Sequence, residues 1–165
     1  MEDNELKNLA LELMSNYCIR SGGKEFNLVE IEFYRRDEEG TYKRKWKERL
    51  FYHYSGLDIC LEHKGTFWGV LVRSVEVDGT FIGGPLKVKN VILNSMTYES
   101  PTFIELAKPK KITLNDISSS TRIGFSEQTK QYRFVITEIE KEYMAHNKER
   151  HTISYKKNIK QLDLQ

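Results

Sequence analysis

Glu30 and Glu32 stand two residues apart in "VEIEFY", residues 29–34, and Arg73 interrupts the otherwise apolar run "FWGVLVRSVEV", residues 67–77. Alternation in the first segment predicts Val29, Ile31 and Phe33 on one side of a strand and Glu30, Glu32 and Tyr34 on the other. Like charges on one strand face repel unless water screens them or a task holds them there. A carboxylate can take a proton from water or stabilise positive charge, and an arginine can orient the attacked group. The same residues can be inert, with Glu30 and Glu32 on a solvated face and Arg73 a structural ion-pair partner. The four histidines lack ligand spacing, and Cys18 and Cys60 lie in apolar settings. Neither a metal site nor a disulfide framework is therefore expected.

The elements that must position these groups can be read from period and punctuation. Asn4 is a candidate cap for "ELKNLALELMSNYCI", in which Leu6, Leu9, Leu13 and Tyr17 recur at helical spacing until "SGG" at 21–23. Strands are predicted at 26–34, 49–54, 57–62 and 67–77, the last buried on both faces. "GGPL" places Pro85 just inside a second helix whose apolar side is Leu86, Val88, Val91, Ile92 and Leu93. A strand at 103–106, the polar stretch "LNDISSSTR" and the strand "QYRFVIT" follow. From residue 138 to 165 charges dominate, which predicts a C-terminal helix or tail after a domain spanning 1–137.

A chain of 165 residues with 39% hydrophobic residues and 30% charged ones is the size of one globular domain. No apolar run reaches the roughly 20 residues of a spanning helix, and "MEDNELKNLA" does not read as a secretory signal. A cytoplasmic protein is expected. A net charge of +2 does not by itself argue for nucleic acid. Locally, "YKRKWKER" interleaves Lys43, Arg44 and further cations with Tyr42 and Trp46, which suits phosphates and bases or, with "DEEG" before it, a solvated loop. Lys87 and Lys89 near the start of the second helix are the better-placed phosphate candidates.

Five segments taken in order go further: "LALELMSNYCI", "VEIEFY", "FYHYSGLDICLEH…GVLVRSVEV", "FIGGPLKVKNVIL" and "STRIGF…YRFVI". In type and order they resemble the alkyladenine (3-methyladenine) DNA glycosylase family, over most of residues 6–136. The family carries an E-A-Y motif, a Y-x-x-Y-G-M-Y-F-C-M-N-like strand, an L-L-R-A-L-E-P-like strand, an S-G-P helix start and an R-V-G-V segment. The resemblance implies a single α+β domain, with a central antiparallel-rich curved sheet and peripheral helices.

It also implies a monofunctional glycosylase that hydrolyses the N-glycosidic bond of a damaged, alkylated or deaminated, purine. The partner is DNA, the protein acts as a monomer, and neither metal nor organic cofactor is used. Glu32 would activate the water that attacks the sugar of a flipped nucleotide, Arg73 would orient that water, and Ile123 would hold it through its backbone carbonyl. Tyr34 and Tyr52 fall where the family stacks tyrosines on the base. Ser55 falls at the wedge position and Glu62 or its neighbour at the discriminating asparagine; no histidine between Glu32 and Tyr52 matches the family's pocket histidine, for which His53 would have to substitute in space. Lys87, Lys89, Lys43 and Arg44 would contact the DNA backbone. Two rivals remain: a nucleic-acid or nucleotide-binding relative without catalysis, and a structural interaction domain.

Overall fold

Leu6, Ala10, Leu13 and Met14 recur every three or four residues and are all buried, so the first segment coils with one face on the core. In the computed structural model, which describes residues 3–35, 49–96, 104–108, 114, 116–124 and 130–139, this helix is α1, Asp3–Asn16. Asn4 does not cap it, because the helix starts one residue earlier and Asn4 lies exposed in the first turn. The helix also ends before the glycines. The Tyr17 N–H closes the last turn on the Leu13 carbonyl, and the chain enters β1, Cys18–Ser21, at once.

Gly22 and Gly23 serve instead as the two-residue turn into β2, Lys24–Arg35, with φ of 57° and 75°. Any side chain on Gly22 would also collide with the Ser95 carbonyl. The chain continues through β3 (Leu50–His53), β4 (Gly56–His63), β5 (Thr66–Val77), β6 (Thr80–Gly83), α2 (Pro85–Asn94), β7 (Glu105–Ala107), β8 (Ile117–Ser120) and β9 (Arg133–Ile136). Of these, β1, β6 and β8 are additions to the strands predicted from the sequence. Helix α2 buries Val88 and Ile92, while Leu86, predicted on its apolar side, is exposed.

All strand pairs are antiparallel, in the order β3-β4-β5-β2-β1-β7, with β6 on β5, β9 on β2 and β8 on β9. The sheet curls into a half-barrel, and the described residues form a single α+β domain. Its inner face packs Phe26, Leu28, Ile31, Phe33, Ile59, Val70, Val72 and Phe134 in one cluster with α1 and α2. Edge-to-face contacts of Phe33 with Trp68 and Phe134 lock the middle of that cluster. Val29, predicted beside Ile31 and Phe33, is a correction: it packs with Val135 and Ile139 in a separate small cluster.

The cause is a register shift in the β2–β5 ladder. Leu28 opposes Val75, Glu30 opposes Ser74 and Ile31 opposes Val72, so Val29 on one strand and Arg73 on the other have no opposite number. Each is the extra residue of a bulge, which lets consecutive side chains share a face. The Arg73 carbonyl, turned out of the ladder, accepts the Gly84 N–H at 2.8 Å and anchors the start of α2.

Among the described residues no helix is long and apolar enough to cross a membrane, and no group of three or more His, Cys, Asp or Glu could hold a metal ion. Cys18 is buried and Cys60 half-buried, and neither is in a disulfide. Burial pushes the Cys18 thiol up to about 11. Residues 140–165, most of the predicted C-terminal helix or tail, lie outside the described residues, as do Lys43 and Arg44.

Candidate functional site

Opposed residues in an antiparallel ladder point to the same side of the sheet. The registers therefore draw one row across six strands on the face turned away from the main core: Phe51, Asp58, Leu71, Glu32, Arg133 and Ser120. Glu30 and Tyr34 flank Glu32 on that face, and the bulges deliver Arg73 and Ser74 to it together. Glu30, Glu32 and Asp58 are each at most 1% exposed, so the glutamates are not a solvated strand face.

Arg73 lies between the two glutamates. Its Nε donates to Glu30 Oε1 and its Nη1 to Glu32 Oε2, both at 3.2 Å. Glu30 also receives Arg133 Nε at 2.6 Å and Ser74 Oγ at 2.8 Å, and Arg133 Nη1 donates to Ser120 Oγ at 2.8 Å. Burial works against ionising Glu30, but the attraction of Arg133 and Arg73, with the hydrogen bonds from Arg133 and Ser74, outweighs it. Its carboxyl therefore lies below its ordinary range. Burial likewise opposes the charge on Arg73, and the two carboxylates beside it more than compensate, holding its guanidinium more firmly protonated than usual.

Glu32 has a different set of donors. Tyr34 Oη donates to Oε2 at 2.8 Å, and the Ile123 backbone N–H donates to Oε1 at 2.9 Å. With Arg73 this makes three donors from the described residues, against roughly four lone-pair sites on a carboxylate. Burial, the Glu32 charge and its hydrogen bond push the Tyr34 phenol up, so it remains a donor. The segment carrying Ile123 also brings Arg122, 6% exposed, over the rings of Tyr34 and Tyr132 at 4.6 and 5.2 Å. Arg122 Nη1 donates to the Phe33 carbonyl at 3.2 Å. One face of Tyr34 is thus already covered by a cation.

Glu32, Arg73 and Ile123, far apart in sequence, are brought together around one carboxylate, with Tyr34 beside them. It is the Ile123 N–H, not its carbonyl, that faces Glu32. Tyr52 does not join them. It opposes Leu57, a core residue, and so lies on the other face of the sheet from Tyr34, at the edge and 39% exposed. Glu62 is exposed near the end of β4, and Ser55 is exposed in the turn after β3. The His53 side chain is only 5% exposed, with Nε2 3.2 Å from Asp58 Oδ1 and Nδ1 3.2 Å from Ser55 Oγ. Lys87 is exposed, whereas Lys89 is committed to the hairpin, donating to the His53 and Tyr54 carbonyls at 2.8 and 2.9 Å.

Sequence reasoning passed over Arg133, Ser74, Ser120, Arg122 and Asp58 as site residues. Arg133 in "YRFVI" and Asp58 in "LDICL" carried the signal that drew attention to Arg73, a charge inside an apolar strand. Clusters of acidic and basic side chains largely removed from water are costly to assemble and weak as a source of stability, and they mark functional sites more often than chance places them. No family model matches this chain, and no curated protein matches it.

Proposed function

We propose that the chain is a monofunctional DNA glycosylase of the alkyladenine type, acting on alkylated or deaminated purines without metal or organic cofactor. The observation that carries this reading is the convergence of Arg73 and the Ile123 segment on the buried carboxylate of Glu32. Cleavage of an N-glycosidic bond builds positive charge on the sugar, and a carboxylate opposes that charge while accepting a proton from the attacking water. Arg73, with a side chain 16% exposed, orients the water and keeps Glu32 paired between turnovers. The lone-pair site of Oε1 left open by the described residues is the place for that water. Tyr34, beside Glu32 and under Arg122, stands where the resemblance puts a tyrosine that stacks on the base. Ser55 cannot fill the gap left by an extruded nucleotide, so single-stranded or mismatched DNA is the preferred substrate.

A base-release assay over alkylated and deaminated oligonucleotides tests the reading. Glu32→Gln keeps the shape and removes the proton acceptor, so release should fall by about 10² to 10⁴-fold while DNA binding persists. The second reading, a nucleic-acid-binding relative without catalysis, is favoured by the complete burial of Glu32 under three donors. Under it the wild-type chain binds DNA, with affinity falling steeply as salt rises, and releases no base. Absence of both release and low-salt binding removes both readings.

A further inference from the structure

The hairpin between β3 and β4 carries a second cluster, built on His53, Ser55 and Asp58. Tyr54 and Ser55 form its two-residue turn, and the side chain of His53, just before the turn, reaches Asp58, the third residue after it. Asp58 is fully buried and the His53 ring nearly so, stacked on Phe51 at 5.8 Å between centroids. A carboxylate only accepts, so Nε2 is the donor in the hydrogen bond at 3.2 Å. In the tautomer that this bond selects Nδ1 is the acceptor, and it faces the hydroxyl of the exposed Ser55 at 3.2 Å. A hydroxyl on a base whose tautomer is fixed by a buried third group is the arrangement of an activated nucleophile.

The surroundings suit an apolar acyl substrate. Tyr54 is 86% exposed and Leu86 45% exposed. Leu86 follows Pro85, whose side chain abuts Gly56 immediately after Ser55. Lys89, clamped on the His53 and Tyr54 carbonyls, fixes a positive charge at the same turn, which favours negative charge developing on an acyl oxygen.

We propose that Ser55, His53 and Asp58 form an esterase-type site for small apolar carboxylic esters. Ser55 Oγ attacks the acyl carbon as its proton passes to His53 Nδ1. The C–O bond to the alcohol breaks, and the alcohol leaves with that proton. Water then attacks the acyl-serine, giving its proton to the same nitrogen, which returns it to Ser55 as the carboxylic acid departs. Asp58 is the positioning residue for the imidazole.

A fluorophosphonate, which transfers its phosphonyl group to an activated serine with loss of fluoride, reads the site directly. Incubation of the full chain followed by peptide mass mapping should place one adduct on Ser55. Ser55→Ala, an exposed change that leaves the packing intact, should abolish that adduct. His53→Gln should slow labelling by about 10²-fold or more. Asp58→Asn should slow it with an unchanged far-UV spectrum, because the amide can donate to Nε2 and stabilise the wrong tautomer. Turnover of p-nitrophenyl butyrate should exceed that of the acetate and disappear in Ser55→Ala. A wild-type chain left unmodified at Ser55, or labelled there equally fast with His53→Gln, overturns the proposal.

Discussion

Two rows of side chains cross the same four strands one residue apart. On the inner face run Leu50, Ile59, Val70 and Phe33, and on the outer face Phe51, Asp58, Leu71 and Glu32. Burial does not distinguish their centres, since Ile59, Val70 and Phe33 are no more hidden from water than Asp58 and Glu32. What differs is the source of the compensation. The inner row gains from every apolar atom removed from water, whatever surrounds it. The outer row loses hydration that only specific polar partners can replace, among them His53 for Asp58, and Arg73, Tyr34 and Ile123 for Glu32. A sheet face built this way depends on individual atoms, where the core depends on volume.

The largest effects should come from neighbours on β9 that point to opposite faces. Phe134→Ala on the inner face should cost about 3–5 kcal/mol through lost transfer energy and a cavity. Arg133→Leu on the outer face leaves apolar bulk in place, yet should cost about 3–5 kcal/mol because Glu30 loses its closest counter-charge. Urea unfolding measures both. Pairing Arg133→Leu with Glu30→Met then separates the rows: Arg73 keeps Glu32, the buried mismatch is gone, and stability should return to wild type or exceed it by about 1–4 kcal/mol. A double variant as weak as Arg133→Leu would mean that this network, like the core, is there for stability.

What was legible in the sequence follows the same division. Long elements with one clear period, α1, β2, β4, β5 and α2, could be read because each displays its buried face to anyone counting residues. Strand β1 was hidden because Cys18 and Ile19 continue the helical spacing of α1 with only Tyr17 between. Strand β8, "ISSS", has no alternation of its own and exists by pairing with β9, Ile117 against Ile136. Glu32 and Arg73 stood out as charges in apolar strands, but their meeting depends on bulges at Val29 and Arg73 that arise only when two strands are laid together. The same holds for Tyr34 and Tyr52: the β3–β4 register, set by a two-residue turn, decides which face Tyr52 takes.

Acid should expose a further difference between the faces. The folded-state pKa of Glu30 is depressed by Arg133 and Arg73 despite burial, so the folded chain binds fewer protons than the unfolded chain as pH falls into the carboxylate range. The stability contributed by Glu30 is therefore complete above the unfolded value, about 4.3, and is lost as pH drops through the lowered folded value. Wild-type unfolding free energy should decline with acid more steeply than that of the Glu30→Met, Arg133→Leu chain. Phe134→Ala should keep the wild-type slope at a lower level. Parallel curves for wild type and the double variant would show that Glu30 is not what acid attacks.

The smallest and most local comparison is between the two tyrosines. Tyr34→Phe removes one hydroxyl whose hydrogen goes to a buried carboxylate at 2.8 Å, a bond to a charged group that contributes about 1.5–3 kcal/mol. The ring stays under Arg122, so its packing there is kept. Tyr52→Phe removes the same atoms from a half-exposed ring at the sheet edge on the opposite face, and should shift stability by no more than about 0.5 kcal/mol. Thermal unfolding of the two single variants and their combination measures the contrast, and the effects should add because the rings share no face. Under the proposed glycosylase reading, losing the Tyr34 hydroxyl frees a second lone pair on Glu32, so Tyr34→Phe should alter the rate of base release, while Tyr52→Phe leaves it where it was. Equal effects of the two substitutions on stability would break the distinction between the faces at the level of a single oxygen atom.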